Sequence, residues 1–416
     1  MLDIQLIRDH PDKFKKASAD KGIKKDVADK TIDEILRLDK KRRELIQEAE
    51  KLRAKRNQLT KEDREKGKEI KKQLKDIEPE LKKIEENLFN DLLLRVPNPA
   101  AKDVKIGKDE SENEIIKKWG KPTKFTFKPK DHLDLGEALA VIDVKRAAKV
   151  SGSRFAYLKG DAVLLEFALV QFAMEKLIKK GFTPVIPPTL IKKDSMQGMG
   201  YLEHGGEEDM YVLEKDNMVL VGTSEQSIGP MHRDEVLSDK NLPLRYVGFS
   251  TCFRREAGSY GKDTRGILRV HQFDKVEMFS FTRPDDSDKE HELMLEIEES
   301  IYQDLKIPYQ VSKMCTGDLG APAARKYDIE AWMPSQNKYR EVTSTSTTTN
   351  FQSRRLNIKF QGKEKKDFVH MLNGTAVAIG RTIIAILENY QQKDGSIEIP
   401  TVLQKYMGKK KISSKL

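Results

Sequence analysis

The sequence predicts an α+β protein, in which an antiparallel sheet flanked by helices follows an N-terminal antiparallel coiled-coil hairpin. The hairpin is predicted from an apolar heptad repeat within residues 27–96, a stretch that contains one glycine and one proline. The sheet is predicted because residues 131–416 alternate short β-rich segments with amphipathic helices, the last of which is expected over Gly374–Gln392. The strands often follow one another after short connections, which favours antiparallel pairing, since parallel strands need long crossovers.

The length of 416 residues suggests two or three domains. Composition divides the chain into an N-terminal domain over residues 1–100, a polar linker over 101–130 and a larger domain over 131–416. The net charge is +10, and no stretch approaches the roughly 18 uncharged residues that a membrane span requires. We therefore expect no membrane-spanning segment.

The seam of the hairpin consists of apolar residues with a heptad period. In its second half the residues are spaced four and three apart in turn, at Ile70, Leu74, Ile77, Leu81, Ile84 and Leu88. In its first half leucines recur every seven residues, at Leu38, Leu45, Leu52 and Leu59, with Ala49 between two of them. The polar segment Thr60–Gly67 predicts the turn between the halves. Pro79 predicts a kink in the returning helix, because proline removes one helical hydrogen bond.

The distal half of the hairpin is basic. Residues 51–72 contain ten bases and four acids, a net charge of +6, whereas residues 27–96 carry only +3. A solvated helix face is one explanation, and a grip on a phosphate backbone is another, since lysine and arginine bind phosphates in a salt-dependent way. Residues 27–88 lack aromatic side chains, so stacking on bases is not available there.

The strongest chemical signal lies in residues 249–281, which predict a strand, a long polar loop and a second strand. Side chains alternate along a strand, so Arg254 and Glu256 should share one face, about 7 Å apart. Phe273, Lys275, Glu277 and Phe279 should form a second such row. An exposed sheet edge would also carry charges, but a ligand site explains charges on both faces. The loop Ala257–Arg269 combines glycines with basic residues and favours a phosphate-bearing ligand.

Several other classes of site are disfavoured. The chain has no G-x-G-x-x-G motif, and the segment Gly374–Thr382 has the wrong spacing and lacks the lysine of a Walker A loop. Cys252 and Cys315 lie far apart, which argues against a disulfide framework or a Cys-rich zinc site and suggests a reducing cytosol. Charges begin at residue 3, so no signal peptide is expected. The final Ser-Lys-Leu resembles a peroxisomal signal. The alternative is that this ending arose by chance in a tail rich in lysine and serine.

The motifs of the chain, taken together, resemble those of one family, the seryl-tRNA synthetases of the common bacterial-type class II kind. The matching segments are MLDIQLIRDHP at the N-terminus, KDESEN (108–113), TSE (223–225), MHRDE (231–235), FRREAGSYGKDTRGILRVHQFDKVEMF (253–279), EVTSTSTTTNFQSRRLNI (341–358) and LNGTAVAIGRTIIAILENYQ (372–391). Their order and spacing, together with the basic hairpin, are typical of that family.

The resemblance implies a class II synthetase sheet of six to eight antiparallel strands in a cytoplasmic homodimer, whose interface uses the helix before Gly181–Pro188. It also implies a two-step reaction. L-serine and ATP, with Mg²⁺ and without zinc, would give seryl-adenylate, and serine would then pass to the 3′ end of tRNA(Ser). The partner tRNA would be contacted at its variable arm and acceptor end, and tRNA(Sec) remains open as a further substrate.

The resemblance also implies roles for individual residues. Arg254, Glu256 and Arg381 would be catalytic. Serine would be bound by Thr223, Ser224, Glu225, Arg254, Glu277, Asn373 and Thr375. ATP would be bound by Arg254, Arg255, Glu256, Phe273, Glu341, Val342, Thr343, Ser344 and Arg381, and Mg²⁺ by Glu341 and Ser344. The tRNA would be bound by Lys51, Arg53, Lys55, Arg56, Arg64, Lys68 and Lys71. Which glutamate takes the serine ammonium and which takes the hydroxyl stays open.

The sequence departs from the family pattern in a few positions. Residues 341–350 commonly contain two cysteines and an aspartate in the family, and here they do not. Ser224 replaces the usual alanine, and Thr375 stands where serine is frequent. Two other functions remain as alternatives, namely an inactive tRNA-binding paralogue and an amino-acid:carrier-protein ligase. The first would be expected to lose Arg254, Glu256, Glu277 or Arg381, all of which are present, and the second lacks a long basic hairpin.

Overall fold

The computed structural model describes residues 1–203, 206–257, 265–362 and 366–414, apart from the side chain of Lys61. The chain divides into two compact units, Met1–Pro99 and Ala100–Leu416. Gly258, Gly261 and Lys262 of the predicted phosphate loop, and the last two residues of the Ser-Lys-Leu tail, lie outside the described residues. Within the described ranges, no helix combines the length and apolar character needed to cross a bilayer.

The first unit is helical. Its helices are α1 (Ile4–Asp9), α2 (Pro11–Asp20), α3 (Lys25–Asn57) and α4 (Arg64–Asn90). Just before α4, Thr60 and Asp63 form a capping box, in which the Asp63 carboxylate accepts from the backbone N–H of Thr60 at 3.2 Å. Helix α4 runs through Pro79. It ends at Asn90, six residues before the predicted end of the hairpin.

The heptad seam forms the contact between α3 and α4. Leu74, Ile77, Ile84 and Leu88 are buried, and Leu74 and Ile77 pack with Ala49. Ion pairs cross from one helix to the other, with Arg42 2.9 Å from Glu85 and Arg53 3.1 Å from Glu78. Arg42 lies earlier on α3 than Arg53, but its partner Glu85 lies later on α4 than Glu78. The two helices are therefore antiparallel, as predicted.

Ile77→Ala should destabilise the hairpin by about 2 to 4 kcal/mol, because the substitution leaves a cavity against Ala49 and Leu74. Amide hydrogen exchange along α3 and α4 in the full chain measures this free energy. Lys75→Ala, on the exposed side of the same helix, is the matched control and should change it by less than about 0.5 kcal/mol. Equal protection in the two variants would contradict the assigned seam.

The second unit is built on sheets with helices packed against them. Its helices are α5 (His132–Ala138), α6 (Val144–Ser151), α7 (Asp161–Lys179), α8 (Lys193–Met199), α9 (Glu225–Ile228), α10 (Ser287–Asp304), α11 (Phe351–Leu356), α12 (Ile379–Asn389) and α13 (Gln404–Met407). Its strands are β1 (Glu114–Trp119), β2 (Ile142–Asp143), β3 (Tyr157–Leu158), β4 (Thr183–Val185), β5 (Leu190–Lys192), β6 (Val212–Leu213), β7 (Met218–Leu220), β8 (Val236–Ser238), β9 (Leu244–Phe253), β10 (Gln272–Thr282), β11 (Tyr309–Lys313), β12 (Arg325–Met333), β13 (Lys338–Thr347), β14 (Lys359–Gln361), β15 (Lys366–Phe368), β16 (His370–Ala378), β17 (Ile397–Glu398) and β18 (Lys411–Ile412).

The main sheet has eight strands in the order β1-β11-β12-β13-β16-β10-β9-β4. All neighbours pair antiparallel except β4 and β9, so the sheet is mixed at one edge. Its opposite edge is β1, which lies inside the predicted linker 101–130. That segment therefore belongs to the second unit, because β1 pairs with β11 along its length.

Helices α7, α10 and α12 cover one face of this sheet. Their apolar side chains, among them Leu165, Met294 and Ile383, form one core with Val276 and Ile329 of the strands. The prediction of a helix from Gly374 to Gln392 was wrong at its start. Residues 374–378 complete β16, a central strand, and the helix begins only at Ile379.

Candidate active site

A cavity of about 400 Å³ lies on the second unit and is lined by residues of β10, β12, β13 and β16 and by the segments around them. Most of the predicted site residues line it. Those that do are Thr223, Glu225, Arg254, Glu256, Phe273, Glu277, Glu341, Val342, Thr343, Ser344, Asn373, Thr375 and Arg381. Four distant stretches of sequence therefore meet in one place.

Arg254 lies directly after the end of β9 and faces into the cavity. Its backbone N–H donates to His271 O at 3.0 Å, and its Nε donates to Gly222 O at 3.2 Å. Its guanidinium lies 5.3 Å from the centre of the Phe273 ring. A Cβ at Gly222 would lie 3.4 Å from the Arg254 side chain, so glycine permits this close approach. The guanidinium is thus held before any ligand arrives.

Glu256 does not continue the strand, contrary to the prediction that Arg254 and Glu256 share a strand face. Strand β9 ends at Phe253, and Glu256 has a φ of 53°, in the left-handed region. Its Oε2 accepts a hydrogen bond from Arg269 at 2.5 Å. The turn brings the carboxylate to the cavity by backbone conformation rather than by strand alternation, and local sequence pattern does not reveal that.

One end of the cavity holds two buried carboxylates. Oε2 of Glu277 lies 2.7 Å from Nζ of Lys275 and accepts the Thr375 hydroxyl at 3.0 Å. Glu225, at the start of α9, accepts a hydrogen bond from the Tyr201 hydroxyl. Burial and the neighbouring Glu277 raise the pKa of Glu225 to about 7, against the opposite effect of Lys275. This end is suited to a small ligand that carries a positive charge and a hydroxyl.

The other end of the cavity carries Glu341 among cations. Its Oε2 lies 3.0 Å from Arg381, a residue of the first turn of α12. Desolvation would raise the pKa of Glu341, but Arg381, Lys326 and Arg254 outweigh it and lower the pKa to about 2. Glu341 is therefore ionised at neutral pH, and the surrounding cations favour an anionic ligand such as a phosphate.

A β-bulge explains why Glu341 and Ser344 both line the cavity although they are three residues apart. The ladder between β12 and β13 pairs Ile329 with Thr343 and Glu330 with Glu341, which leaves Val342 without a partner. The extra residue shifts the alternation of side chains by one, so that Glu341 and Ser344 lie on the same face of the sheet. Thr343 also lines the cavity, but its hydroxyl donates to the buried Glu298 at 3.1 Å.

The donor set at Glu341 and Ser344 fits Mg²⁺. An ionised carboxylate and a hydroxyl are hard oxygen ligands, and Mg²⁺ usually takes one or two protein oxygens together with phosphates and water. The described part of the chain contains no cluster of three or more His, Cys, Asp or Glu residues arranged to hold a metal. A metal at this position would therefore take most of its ligands from a bound substrate.

Two predicted site residues do not line the cavity. Arg255 points elsewhere, with its guanidinium 5.9 Å from the centre of the Tyr211 ring. Ser224 is fully buried, and its side chain lies close to Gly248 of β9, where a Cβ would meet Ser224 Oγ at 2.9 Å. The prediction that both contact a ligand is not supported by their positions, because each side chain faces its own packing partner.

Other cavity residues were not predicted as ligands. These are, among others, Tyr201, Asp209, Gln226, Arg269, Lys275 and Lys326. Lys275 could have been found, since it lies in the polar row with Phe273 and Glu277. Lys326 and Tyr201 carry no local signal, because their strand and loop reach the cavity only through long-range pairing.

The seven bases predicted to bind tRNA lie on the first unit, on α3 and α4. All seven are exposed. Arg53 pairs with Glu78 across the hairpin, and Lys68 pairs with Glu65 on its own helix. Exposed pairs of this kind contribute little to stability, so these side chains can exchange partners at low cost.

Comparison with known proteins bears on both units. The model of the seryl-tRNA synthetase N-terminal domain matches residues 1–100, and that of the class II tRNA synthetase core domain (G, H, P, S and T) matches residues 211–390. The serine–tRNA ligase of Dictyoglomus thermophilum is 47% identical over 426 residues, covering 100% of both chains. The chain belongs to the seryl-tRNA synthetase family.

Solved structures of seryl-tRNA synthetases share the fold over the whole chain. The Pyrococcus horikoshii seryl-tRNA synthetase complexed with ATP has a TM-score of 0.94 and 43% identity, with 100% of each chain covered. The cytoplasmic serine–tRNA ligase of Naegleria fowleri in complex with AMP has a TM-score of 0.91 and 33% identity, covering 100% of this chain and 99% of that one. The predicted fold class and family are thereby confirmed.

Proposed function

We propose that this chain is a serine–tRNA ligase, which activates L-serine with ATP and transfers it to the 3′ end of tRNA(Ser). The observation that carries the proposal is that the two ends of the cavity differ in character, while the charge of Arg254 acts on a carboxylate at each end, Glu225 and Glu341. One end offers buried carboxylates to an amino acid, and the other offers cations to a phosphate chain. A ligand that joins an amino acid to a nucleotide matches this arrangement.

In the first step the serine carboxylate attacks the α-phosphate of ATP, an O–P bond forms and pyrophosphate leaves. The carboxylate is already a nucleophile, so the protein needs no base and contributes alignment and charge stabilisation. The Arg254 guanidinium suits this task because its planar fork can bind two converging oxyanions. Its contacts to Gly222 and Phe273 hold it in place before reaction, which lowers the cost of alignment.

Arg381 and Lys326 are proposed to neutralise the departing phosphates, because both line the cavity and act on Glu341. Glu256 would accept the adenine amino group and Phe273 would stack on the ring. Glu341 and Ser344 would hold Mg²⁺, which, when bound, neutralises phosphate charge and fixes the phosphate geometry.

The amino-acid end is proposed to divide between its two glutamates. Glu277 already has a cation at 2.7 Å in Lys275, and it accepts the Thr375 hydroxyl. Glu225 has no ion pair within the described residues. We therefore assign the serine ammonium to Glu225 and the serine hydroxyl to Glu277 with Thr375, with Thr223 and Asn373 completing the wall.

The first unit is proposed to hold the tRNA through its seven exposed bases, which would contact the phosphate backbone of the variable arm.

A homodimer through α7 is part of the proposal, and Leu164 and Phe167 of that helix are 47% and 60% exposed. Apolar side chains exposed to this extent are common where a second surface covers them. A cytoplasmic location is also proposed, in keeping with two unpaired cysteines.

Serine-dependent ATP–pyrophosphate exchange tests the proposal. Exchange should occur with serine and be weak with threonine, alanine and cysteine. Alanine should be rejected by about 10⁴-fold in kcat/KM, because it would leave Glu277 and Thr375 without their buried hydrogen-bond partner. Folded protein that shows no exchange with any of the four would favour the inactive tRNA-binding paralogue instead.

A further inference from the structure

Tyr201 follows the C-terminal end of α8, at a turn where Gly200 adopts a φ of 83°. Its ring packs against the apolar cluster that contains Met199 and also against the cluster that contains Met196 and Val221. Its hydroxyl donates to Oε1 of Glu225, and Tyr201 is one of the residues that line the cavity. The ring therefore fixes the hydroxyl, and the hydroxyl fixes one oxygen of the carboxylate.

The two glutamates of the amino-acid end are held in different ways. Oε2 of Glu277 is held by both Lys275 and Thr375, at 2.7 and 3.0 Å. Glu225 is 4% exposed, and in the described part of the chain Tyr201 is the side chain that donates to it. A buried carboxylate with one fixed oxygen has the other free for a ligand, and its orientation depends on that single donor.

We propose that Tyr201 is a positioning residue of the amino-acid subsite, whose hydroxyl holds Oε1 of Glu225 so that Oε2 receives the ammonium group of the amino acid. The proposal rests on the proposed function, since it concerns how that substrate is bound. It assigns Tyr201 no contact with the reacting atoms. The predicted consequence is a defect in amino-acid binding with little change in the chemistry of adenylate formation.

The charges around Glu225 give this role a pH signature. Burial and Glu277 raise the pKa of Glu225 to about 7, whereas Lys275, the Tyr201 hydroxyl and Arg254 lower it. A protonated Glu225 cannot pair with an ammonium, so KM for serine should fall as pH rises through about 7. Loss of the Tyr201 hydroxyl removes a donor to the ionised form, raises the pKa further and moves this fall to higher pH.

The test is pyrophosphate exchange by the full-length wild type and by Tyr201→Phe between pH 6 and 8.5, with serine and ATP varied separately. Phenylalanine keeps the ring and removes only the hydroxyl. KM for serine at pH 7 should rise about tenfold or more, since a hydrogen bond to a charged group is removed. KM for ATP and kcat should stay within about twofold of wild type, and the inflection in the serine KM should shift upwards.

Tyr327→Phe is the matched control, because it also removes a tyrosine hydroxyl that donates to a glutamate, Glu292, at 3.1 Å. It should leave the serine KM and its pH profile unchanged. An unchanged serine KM in Tyr201→Phe, an unmoved inflection, or an equal rise in the KM for ATP would overturn the proposal. A wild type without serine-dependent exchange would instead overturn the proposed function, so the two failures are distinguishable.

Discussion

Arg254→Ala should reduce serine-dependent pyrophosphate exchange by about 10³-fold, which corresponds to about 4 kcal/mol of transition-state stabilisation. The guanidinium is the group proposed to bind the serine carboxylate and the α-phosphate together. Its charge is in place before substrate binds, held over Phe273 and bonded to Gly222. The loss should therefore appear mainly in kcat, because the interaction is strongest where the two oxyanions converge.

Arg254→Lys tests whether the positive charge at this position is sufficient or whether the planar guanidinium is needed. Lysine keeps one positive charge but cannot bind two oxyanions with a planar pair of donors, so we expect a loss of about tenfold or more. Arg283→Ala is the control, since Arg283 is half-exposed and pairs with Asp286 at 2.8 Å. That variant should keep wild-type exchange. Near-normal exchange in Arg254→Ala, with melting temperature unchanged, would refute the assigned role.

Truncation of the hairpin should separate the two steps of the reaction. Removing residues 51–76 and joining the helices by a short glycine turn takes away all seven bases predicted to bind tRNA. The two ends of the deletion lie at similar heights on the two helices, because Arg42 on α3 faces Glu85 on α4 and Arg53 faces Glu78. Charging of tRNA(Ser) should fall by about 10²-fold or more, since several phosphates of the tRNA would no longer be neutralised. Exchange without tRNA should stay within about threefold.

A second variant keeps the helices and removes only the charge, by replacing the seven bases with glutamine. Its KM for tRNA should rise, and the salt dependence of tRNA binding should weaken by about 0.7 to 0.9 in slope for each phosphate that the variant no longer neutralises. Replacing Lys75, Lys82 and Lys83 with glutamine is the control, since these exposed bases lie nearer the base of the hairpin. Equal losses of exchange and charging in the truncated chain would contradict the proposal that the hairpin binds tRNA while the second unit forms the adenylate.

Much of the architecture follows from local patterns. The spacing of Leu74, Ile77, Ile84 and Leu88 matches the pitch of two packed helices, so the hairpin could be predicted without tertiary information. The strands at 249–281 could be found because their β-rich sequence surrounds a polar loop. The cavity residues outside those strands, such as Glu225, Glu341 and Arg381, were by contrast identified from resemblance to a family, since a charged residue in isolation does not reveal whether it faces a ligand or the solvent.

The sequence by itself determined the helical hairpin with its basic distal half, the main strands and the family to which the chain belongs. Only the tertiary structure decided that Val342 bulges from its strand, that Glu256 turns in a left-handed conformation, that Arg255 lies outside the cavity, and that Tyr201 reaches Glu225. Periodicity reports which face of one element is apolar. Register, bulges and the approach of distant loops depend on how all the elements pack at once, and that information is not local to any segment.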